Sequence, residues 1–540
     1  MNRKRFFAAA VLIMLFALGV RSIAMLRNPI PAGDGISSNM LLADNLNRGL
    51  GYTTFVKWTL YDKSEEFLRP EANRQPATAT LLAGWFRLLG TGYFQAQLLA
   101  MAMGALAMLA AASWTARTFG RGAALAVLAY LAADPPFVWF SVHMDSLMAY
   151  VTLFYLILIL ADCERLSMQR TILLGVLTGL LYLVRTQGVL MVPALVVWII
   201  FKERRRWLWK ALAFGLAALV VVSPWLIRNI SEFGNPSHSQ NGQFILNENH
   251  WSAWSIRDSA PSPSDMWRNQ GPAAVARYVA AGVLRVFEPF TTGSTHRGEI
   301  FGQPTLAVFA AFAVFALVCP QTRRKMLLPG LALVPVFLAL VLHQHSGRYL
   351  SVAVPAVVAA GSAGIGRLAS TAGKKIIPWL ALLIALTLAR PLLQVLEEDS
   401  RERAAETMEV ALWVKENASD SAWVCTFPNV ELFTWVYRKP TLAWPNDYEM
   451  LLWPYLHQHG VEYMVVDPDL PVLRPWLSRC WRRSPDGREW DLINPPPFLE
   501  EVWRSQSGKT LVYRFSGEVP RGYMAVDSLP PDNYRAIGPH

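Results

Sequence analysis

A polytopic α-helical membrane protein with a small soluble α/β domain at its C-terminal end is the fold class that three features of the sequence predict. The first is composition: of 540 residues, 53% are hydrophobic and only 16% charged, against about 25% charged in ordinary soluble domains. The second is the recurrence, up to about residue 395, of apolar runs approaching the roughly 20 residues needed to cross a bilayer. The third is charge placement. The net charge of +11 is gathered at Arg3–Arg5, Arg117/Arg121, Arg165/Arg170, Lys202–Arg206, Arg323–Lys325 and Lys374/Lys375. Each cluster lies between apolar runs, which is the positive-inside pattern of cytoplasmic loops and not a nucleic-acid-binding surface.

With those clusters as cytoplasmic markers, about eleven spans are expected, at 6–26, 93–116, 121–133, 146–161, 171–185, 188–201, 208–227, 303–319, 326–343, 349–366 and 376–395. The basic start and apolar run of the N-terminus resemble a signal peptide. No small-x-small cleavage site follows, so an uncleaved first helix is the expectation. This parity sets the N-terminus in the cytoplasm and the C-terminal part in the periplasm. The domain division expected is 1–395, membrane-embedded with long outer loops 27–92 and 228–302, and 396–540, soluble.

Loops of that length are usually functional or disordered. The first holds two helical stretches, ISSNMLLADNLNRG and the short apolar ATATLLAGWFRLLG, the latter expected to lie at the membrane surface. AAVARYVAAGVLRVFEPF in the second loop has the same interfacial character. In the tail, AETMEVALWVKENA and MLLWPYLHQHG read as helices, and SAWVCTF, EYMVVDPD and TLVYRFSG as strands. Cys425 and Cys480 both fall in the tail, where an oxidising periplasm would permit a disulfide; two unpaired core thiols fit equally well.

No phosphate-binding glycine loop, dinucleotide fingerprint, HExxH or CxxC pair occurs. The candidates for chemistry are polar residues at the outer membrane face. Asp34, between Gly33 and Gly35, is either the cap of a helix beginning near Ile36 or a catalytic base. Asp44, further along that helix, reads as a solvated or paired surface acid. Asp145, after the break at Asp134-Pro135-Pro136, is either a favourable acid at a helix N-terminus or a second acid facing the same cavity as Asp34. Asp134 reads as a cap before the prolines. Arg74, Arg185, Arg228 and Arg348 sit at outer helix ends against the positive-inside bias, either snorkelling or binding phosphate. His343 and His345 form H-x-H, a weak candidate for a divalent metal. No cofactor is otherwise indicated. A base opposite a set of cations suits displacement at a sugar carbon with a phosphate leaving group.

Taken in order, RQPATATLLAGWFRLLG, HMDSLMAY, LVRTQGVLM, SPWLIRNISEFGNP and SGRYLSVAVP resemble the bacterial members of the dolichyl-phosphate-mannose–protein mannosyltransferase superfamily. That group includes the aminoarabinose transferases and shares the GT-C membrane fold. The resemblance runs over nearly the whole chain and implies a polyprenyl-phosphate sugar donor, a lipid or glycan acceptor and inversion at the sugar carbon. It also implies Asp34 as catalytic base, Asp145 as the second acid, and Arg74, Arg348 and Tyr349 as donor-phosphate contacts. Asp34-Gly35 replaces the Asp-Glu of many relatives, and Gln75-Pro76 replaces Pro-Pro; both departures bear on substrate identity. The sugar-binding repeats of the eukaryotic enzymes are absent, which weakens a protein acceptor. Two competing classes are a transporter or flippase of lipid-linked sugars, which predicts ionisable residues at mid-depth in the bundle, and a scaffold or sensor, which leaves Asp34 dispensable.

Overall fold

The computed structural model describes residues 2–31, 34–58, 68–239, 271–287, 304–343, 351–372, 401–426, 429–447, 449–467 and 498–516, with residue 256, residues 267–268 and short pieces within 383–396 and 470–492. The chain divides into two compact units. The first comprises Met1–Pro29, Arg74–His238 and Gln270–Asp399; the second comprises Ile30–Asn73, Ser239–Asn269 and Ser400–His540.

The helices begin with α1 (Arg3–Arg27) and, in the second unit, α2 (Asp34–Asn47). The first unit continues with α3 (Pro76–Leu89), α4 (Tyr93–Thr118), α5 (Arg121–Ala133), α6 (Pro135–Phe140), α7 (Leu147–Ala161), α8 (Met168–Val184), α9 (Met191–Lys202) and α10 (Trp207–Phe233). After these come α11 (Pro272–Phe287), α12 (Pro304–Leu317), α13 (Pro320–His343) and α14 (Val354–Ala372). Among the described residues, α1, α4, α10 and Ser351–Thr371 are each long and apolar enough to cross a membrane. Leu306–Leu317 and Pro320–Ala339 make a further pair bent by 120°. Helices α5, α7 and α8, and the stretch Thr186–Lys202, are shorter and apolar. Ten of the eleven expected spans coincide with an observed helix; the eleventh, 376–395, lies mostly outside the described residues.

The surface of these helices identifies their solvent. Leu12, Leu15 and Phe16 on α1, and Trp209, Leu216, Val220 and Ile227 on α10, are all more than half exposed. A row of large apolar side chains turned outward along helices of 25 and 27 residues belongs in hydrocarbon. The protein is a multi-pass membrane protein.

Small residues set the tightest packing. Gly175 and Gly179 lie one turn apart on the face of α8 that meets α10. A Cβ at Gly179 would stand 2.8 Å from Val221 Cβ and 2.9 Å from the Ala218 carbonyl; one at Gly175 would strike the Phe214 carbonyl. Close backbone approach through small-xxx-small spacing drives helix association where lipid removes the hydrophobic contribution. Gly179→Leu is therefore expected to lower the melting temperature of the detergent-solubilised protein by several degrees, read by intrinsic Trp fluorescence. Gly215→Leu, at a position with open space around its Cα, serves as the neutral control.

The second unit is built on a six-stranded mixed sheet. Its strands are β1 (Thr53–Thr54), β2 (Val56–Lys57), β3 (Arg69–Pro70), β4 (Trp423–Thr426), β5 (Thr441–Ala443), β6 (Val461–Val466), β7 (Trp481–Arg483), β8 (Trp490–Leu492), β9 (Leu499–Arg504) and β10 (Leu511–Phe515). The large sheet runs β2-β5-β4-β6-β10-β9, while β1–β3 and β7–β8 pair separately. Helices α15 (Arg401–Asn417), α16 (Val430–Tyr437) and α17 (Glu449–Gln458) cover it. Alternation along the strands feeds two cores. Val424, Tyr463, Val465 and Val512 pack with Val410 and Val414 of α15 and Phe433 of α16. Cys425, Met464 and Tyr513 pack with Leu452, Trp453 and Leu456 of α17.

The part of the first outer loop that holds α2 and β1–β3 differs from the sequence expectation, which kept the whole loop with the membrane part. Val56 and Lys57 pair in parallel with Thr441 and Leu442 at the edge of the large sheet. Asp44 of α2 is ion-paired to Arg438 at the end of α16, so it is a paired acid. The physical reason is that an edge strand leaves backbone N–H and C=O groups unpaired, and the loop supplies them. Cys425 is a free, fully buried thiol in β4 and makes no disulfide; Cys480 lies outside the described residues. Burial pushes the Cys425 thiol well above its ordinary pKa, the nearby Arg474 guanidinium only partly opposing it.

Candidate active site

The polar end of the first unit is assembled around the break between α5 and α6. Asp134 caps α6, its carboxylate accepting the Phe137 N–H at 3.2 Å, with prolines at the first two helical positions. Arg21 of α1 meets the other side of the break, donating to the carbonyls of Leu131 at 3.0 Å and Ala132 at 3.2 Å. Both side chains are buried. Sequence reasoning missed Arg21, although a cation three quarters of the way along an apolar helix was a readable signal. Its bonds to helix-end carbonyls make it a structural clamp and not a mid-depth transport residue.

From α6 the chain folds back on itself. His143 stacks on Trp139 with ring centroids 3.7 Å apart, and its Nδ1 lies 2.9 Å from the Trp139 carbonyl. This turn delivers Asp145 to the start of α7. One carboxylate oxygen, Oδ1, accepts the Leu147 N–H at 2.7 Å and an Nη1–H of Arg185 at 3.0 Å. Asp145 thus sits at a helix start, one of its two expected readings, and is in addition ion-paired to Arg185, which the sequence did not indicate. The pair is nearly sealed, with side-chain exposures of 12% for Arg185 and 10% for Asp145.

Arg185 ends α8, and the chain turns through a 3₁₀ segment, Thr186–Leu190. Thr186 Oγ1 accepts a hydrogen bond from Gln75 Nε2 at 3.2 Å. Gln75 is the N-terminal flanking residue of α3, followed by Pro76 at the first helical position, and the half-buried Arg74 precedes it. Three segments remote in sequence, carrying Arg74-Gln75, Asp145 and Arg185-Thr186, are therefore joined at one end of the helical unit. Arg228, near the end of α10, lies over the rings of Trp225 at 4.8 Å and Phe233 at 5.1 Å and donates to Asn229 Oδ1 at 3.0 Å. Part of its role is thus packing over aromatic rings, a role its sequence context did not indicate.

Asp34 is the first residue of α2 in the second unit, two positions earlier than the start expected near Ile36. His343 is the last residue of α13. His345, Arg348 and Tyr349 lie outside the described residues. Among the described residues, no three His, Cys, Asp or Glu side chains gather in a way that would hold a metal ion.

Residues 72–227 match the family model described as dolichyl-phosphate-mannose-protein mannosyltransferase. The matched segment contains Arg74, Asp145 and Arg185 and ends one residue before Arg228. A comparison with curated proteins found no match. Among solved structures, the archaeal oligosaccharyltransferase AglB from Archaeoglobus fulgidus, in complex with an inhibitory peptide and a dolichol-phosphate, superposes with a TM-score of 0.59. The identity is 12%, over 91% of this chain and 74% of that one. ArnT from Cupriavidus metallidurans bound to undecaprenyl phosphate gives a TM-score of 0.57 at 14% identity, over 93% of this chain and 97% of that one. The chain has the GT-C fold of membrane glycosyltransferases. In this GT-C chain the family-model match falls on the helical unit and encloses the three joined segments.

Proposed function

We propose that the protein is an inner-membrane glycosyltransferase that moves a sugar from a polyprenyl-phosphate donor to a lipid or glycan acceptor in the periplasm, with inversion at the sugar carbon. The observation that carries this reading is the sealed Asp145–Arg185 pair joined through Thr186 and Gln75 to Arg74, within the segment matched by the family model. The donor class is supported by the lipids bound to the two similar structures, dolichol-phosphate and undecaprenyl phosphate. The topology proposed with it has about eleven spans, a cytoplasmic N-terminus and a periplasmic C-terminal part.

In the reaction, an acceptor hydroxyl oxygen bonds to the anomeric carbon as the bond from that carbon to the phosphate oxygen breaks. The hydroxyl proton passes to the Asp34 carboxylate, and the electron pair leaves on the polyprenyl phosphate. Guanidinium groups suit the leaving group because their fork matches phosphate oxygens and they carry charge at every relevant pH. Arg74 and Arg185 take this role, joined by Arg348, Tyr349 and Arg228. Asp145 is a positioning residue: by accepting from Arg185 and from the α7 backbone it fixes the guanidinium before the donor arrives.

The test is transfer of radiolabelled sugar from polyprenyl-phosphate donors to cell-envelope acceptors by the protein in detergent. Asp145→Asn is expected to raise the donor KM about 10-fold, the worth of one charge-assisted bond, with a smaller change in kcat. The absence of transfer from every donor offered would overturn the reading. A flippase would move the intact lipid-linked sugar across vesicles and leave the label on its carrier.

A further inference from the structure

Helix α16 ends on a residue that does not suit its backbone. Arg438, the C-terminal flanking residue, has φ 65° and ψ 21°, and its N–H closes the last turn on the Thr434 carbonyl at 2.7 Å. Among the described residues it is the one non-glycine with positive φ. Glycine is the usual residue at such a helix end, because a Cβ crowds the left-handed backbone. Arginine carries a steric cost there, so the reason for its presence is to be sought in its side chain.

That side chain is ion-paired to Asp44 of α2, whose own side chain is only 8% exposed. Arg48, one turn further along α2, stands 3.9 Å from the same carboxylate oxygen but is 44% exposed, so water weakens its share. Helix α2 lies against α16, and Leu41 enters the same core as Val430. Apolar burial of this kind holds a helix down without fixing its direction. A charge pair between two defined atoms supplies the direction. Just beyond it, Asn45 Nδ2 donates to the Thr53 carbonyl at 2.8 Å, and Val56–Lys57 join the sheet.

Asp34 sits at the other end of the same helix, ten residues before Asp44, with unbroken helix between them. At 1.5 Å per residue that is a lever of about 15 Å, and a tilt of about 4° swings its far end through about 1 Å. Misplacement on that scale can cost about 10²-fold in rate. We propose that Arg438 is a positioning residue for sugar transfer: through Asp44 it sets the direction of α2 and hence the place of Asp34. The role rests on Asp34 being the base, as proposed above. It gives the C-terminal part of the chain a share in the reaction without any chemical step of its own.

The experiment measures kcat and donor KM for sugar transfer by the full chain in detergent. Melting temperature and amide hydrogen exchange over residues 34–47 are followed on the same preparations. Arg438→Gly is expected to lower kcat about 10- to 100-fold with donor KM unchanged. Its melting temperature should stay near wild type, because relief of the backbone offsets loss of a partly exposed pair. Exchange across α2 should rise. Arg438→Lys keeps the charge and should recover most of the turnover. Asp44→Asn should repeat the loss, and it decides if Arg438→Gly fails to fold. The double variant should be no slower than the slower single one, since both changes break the same contact. Wild-type kcat in the folded single variants, unchanged exchange over α2, a raised donor KM in place of a lowered kcat, or multiplied losses in the double variant would each overturn this role. Wild-type protein that transfers no sugar would overturn the proposed function and this role with it; wild-type protein that transfers sugar no faster than its variants would overturn this role alone.

Discussion

Asparagine in place of Asp34 is expected to lower the turnover of the proposed sugar transfer by about 10²–10⁴-fold, the usual contribution of a positioned general base, while the protein folds normally. The substitution removes the proposed proton acceptor and keeps the side chain's shape. Asp34 begins α2, where a carboxylate favours the helix dipole by about 0.3–1 kcal/mol. Asparagine forfeits that small contribution and remains a good residue at a helix start, so the melting temperature should move little. Asp34→Glu should recover part of the rate because the base returns at a shifted position. The measurement is kcat with a saturating polyprenyl-phosphate sugar, alongside thermal unfolding of the same preparation. Full activity in a folded Asp34→Asn protein would remove this residue from the mechanism and favour the scaffold or sensor reading.

Alanine at Arg21 is expected to cost several kcal/mol of stability, at about 1–3 kcal/mol for each buried acceptor left without its donor. Arg21 is 1% exposed and Asp134 fully buried. The guanidinium satisfies the carbonyls of Leu131 and Ala132 at the end of α5 and that of Ala17 in its own helix. It also lies within electrostatic reach of Asp134. Its loss strands helix-end carbonyls and a carboxylate in a low-dielectric interior, where each unsatisfied group is costly. Arg21→Lys should be intermediate, because one ammonium lacks the planar fork that reaches two carbonyls at once. Arg21→Met combined with Asp134→Asn should be less damaging than Arg21→Ala alone, since no charge is left uncompensated. Unfolding in detergent followed by Trp fluorescence checks all three. An Arg21→Ala protein as stable as wild type would show that these bonds contribute nothing net.

Much of this was legible locally. The Asp134-Pro135-Pro136 cap, the α8 turn at Arg185 and the helix entered at Pro76 follow from capping, proline geometry and apolar run length, which act within a few residues. The strands and helices of the tail were readable for the same reason, since the short, mostly apolar runs at Trp423–Thr426 and Val461–Val466 report strands buried on both faces. The role of Asp145 was only half legible. A helix-start acid announces itself in sequence, but its partner Arg185 stands 40 positions away, and no periodicity links them. Nor did sequence distinguish Arg228 as an aromatic-packed cation, because stacking depends on rings three and five residues away being turned to the same side.

The sequence alone determined that this chain spans a membrane several times, which stretches form its helices and where polar residues gather, because hydropathy and charge act on each segment separately. Tertiary structure decided the partners. It paired Val56–Lys57 with Thr441–Leu442 and so drew part of the first outer loop into the soluble unit. It also tied Arg21 to the end of α5 and Arg185 to Asp145. These are matches between groups remote along the chain. Each forms because a buried donor, acceptor or charge must be satisfied by whatever the fold brings within reach.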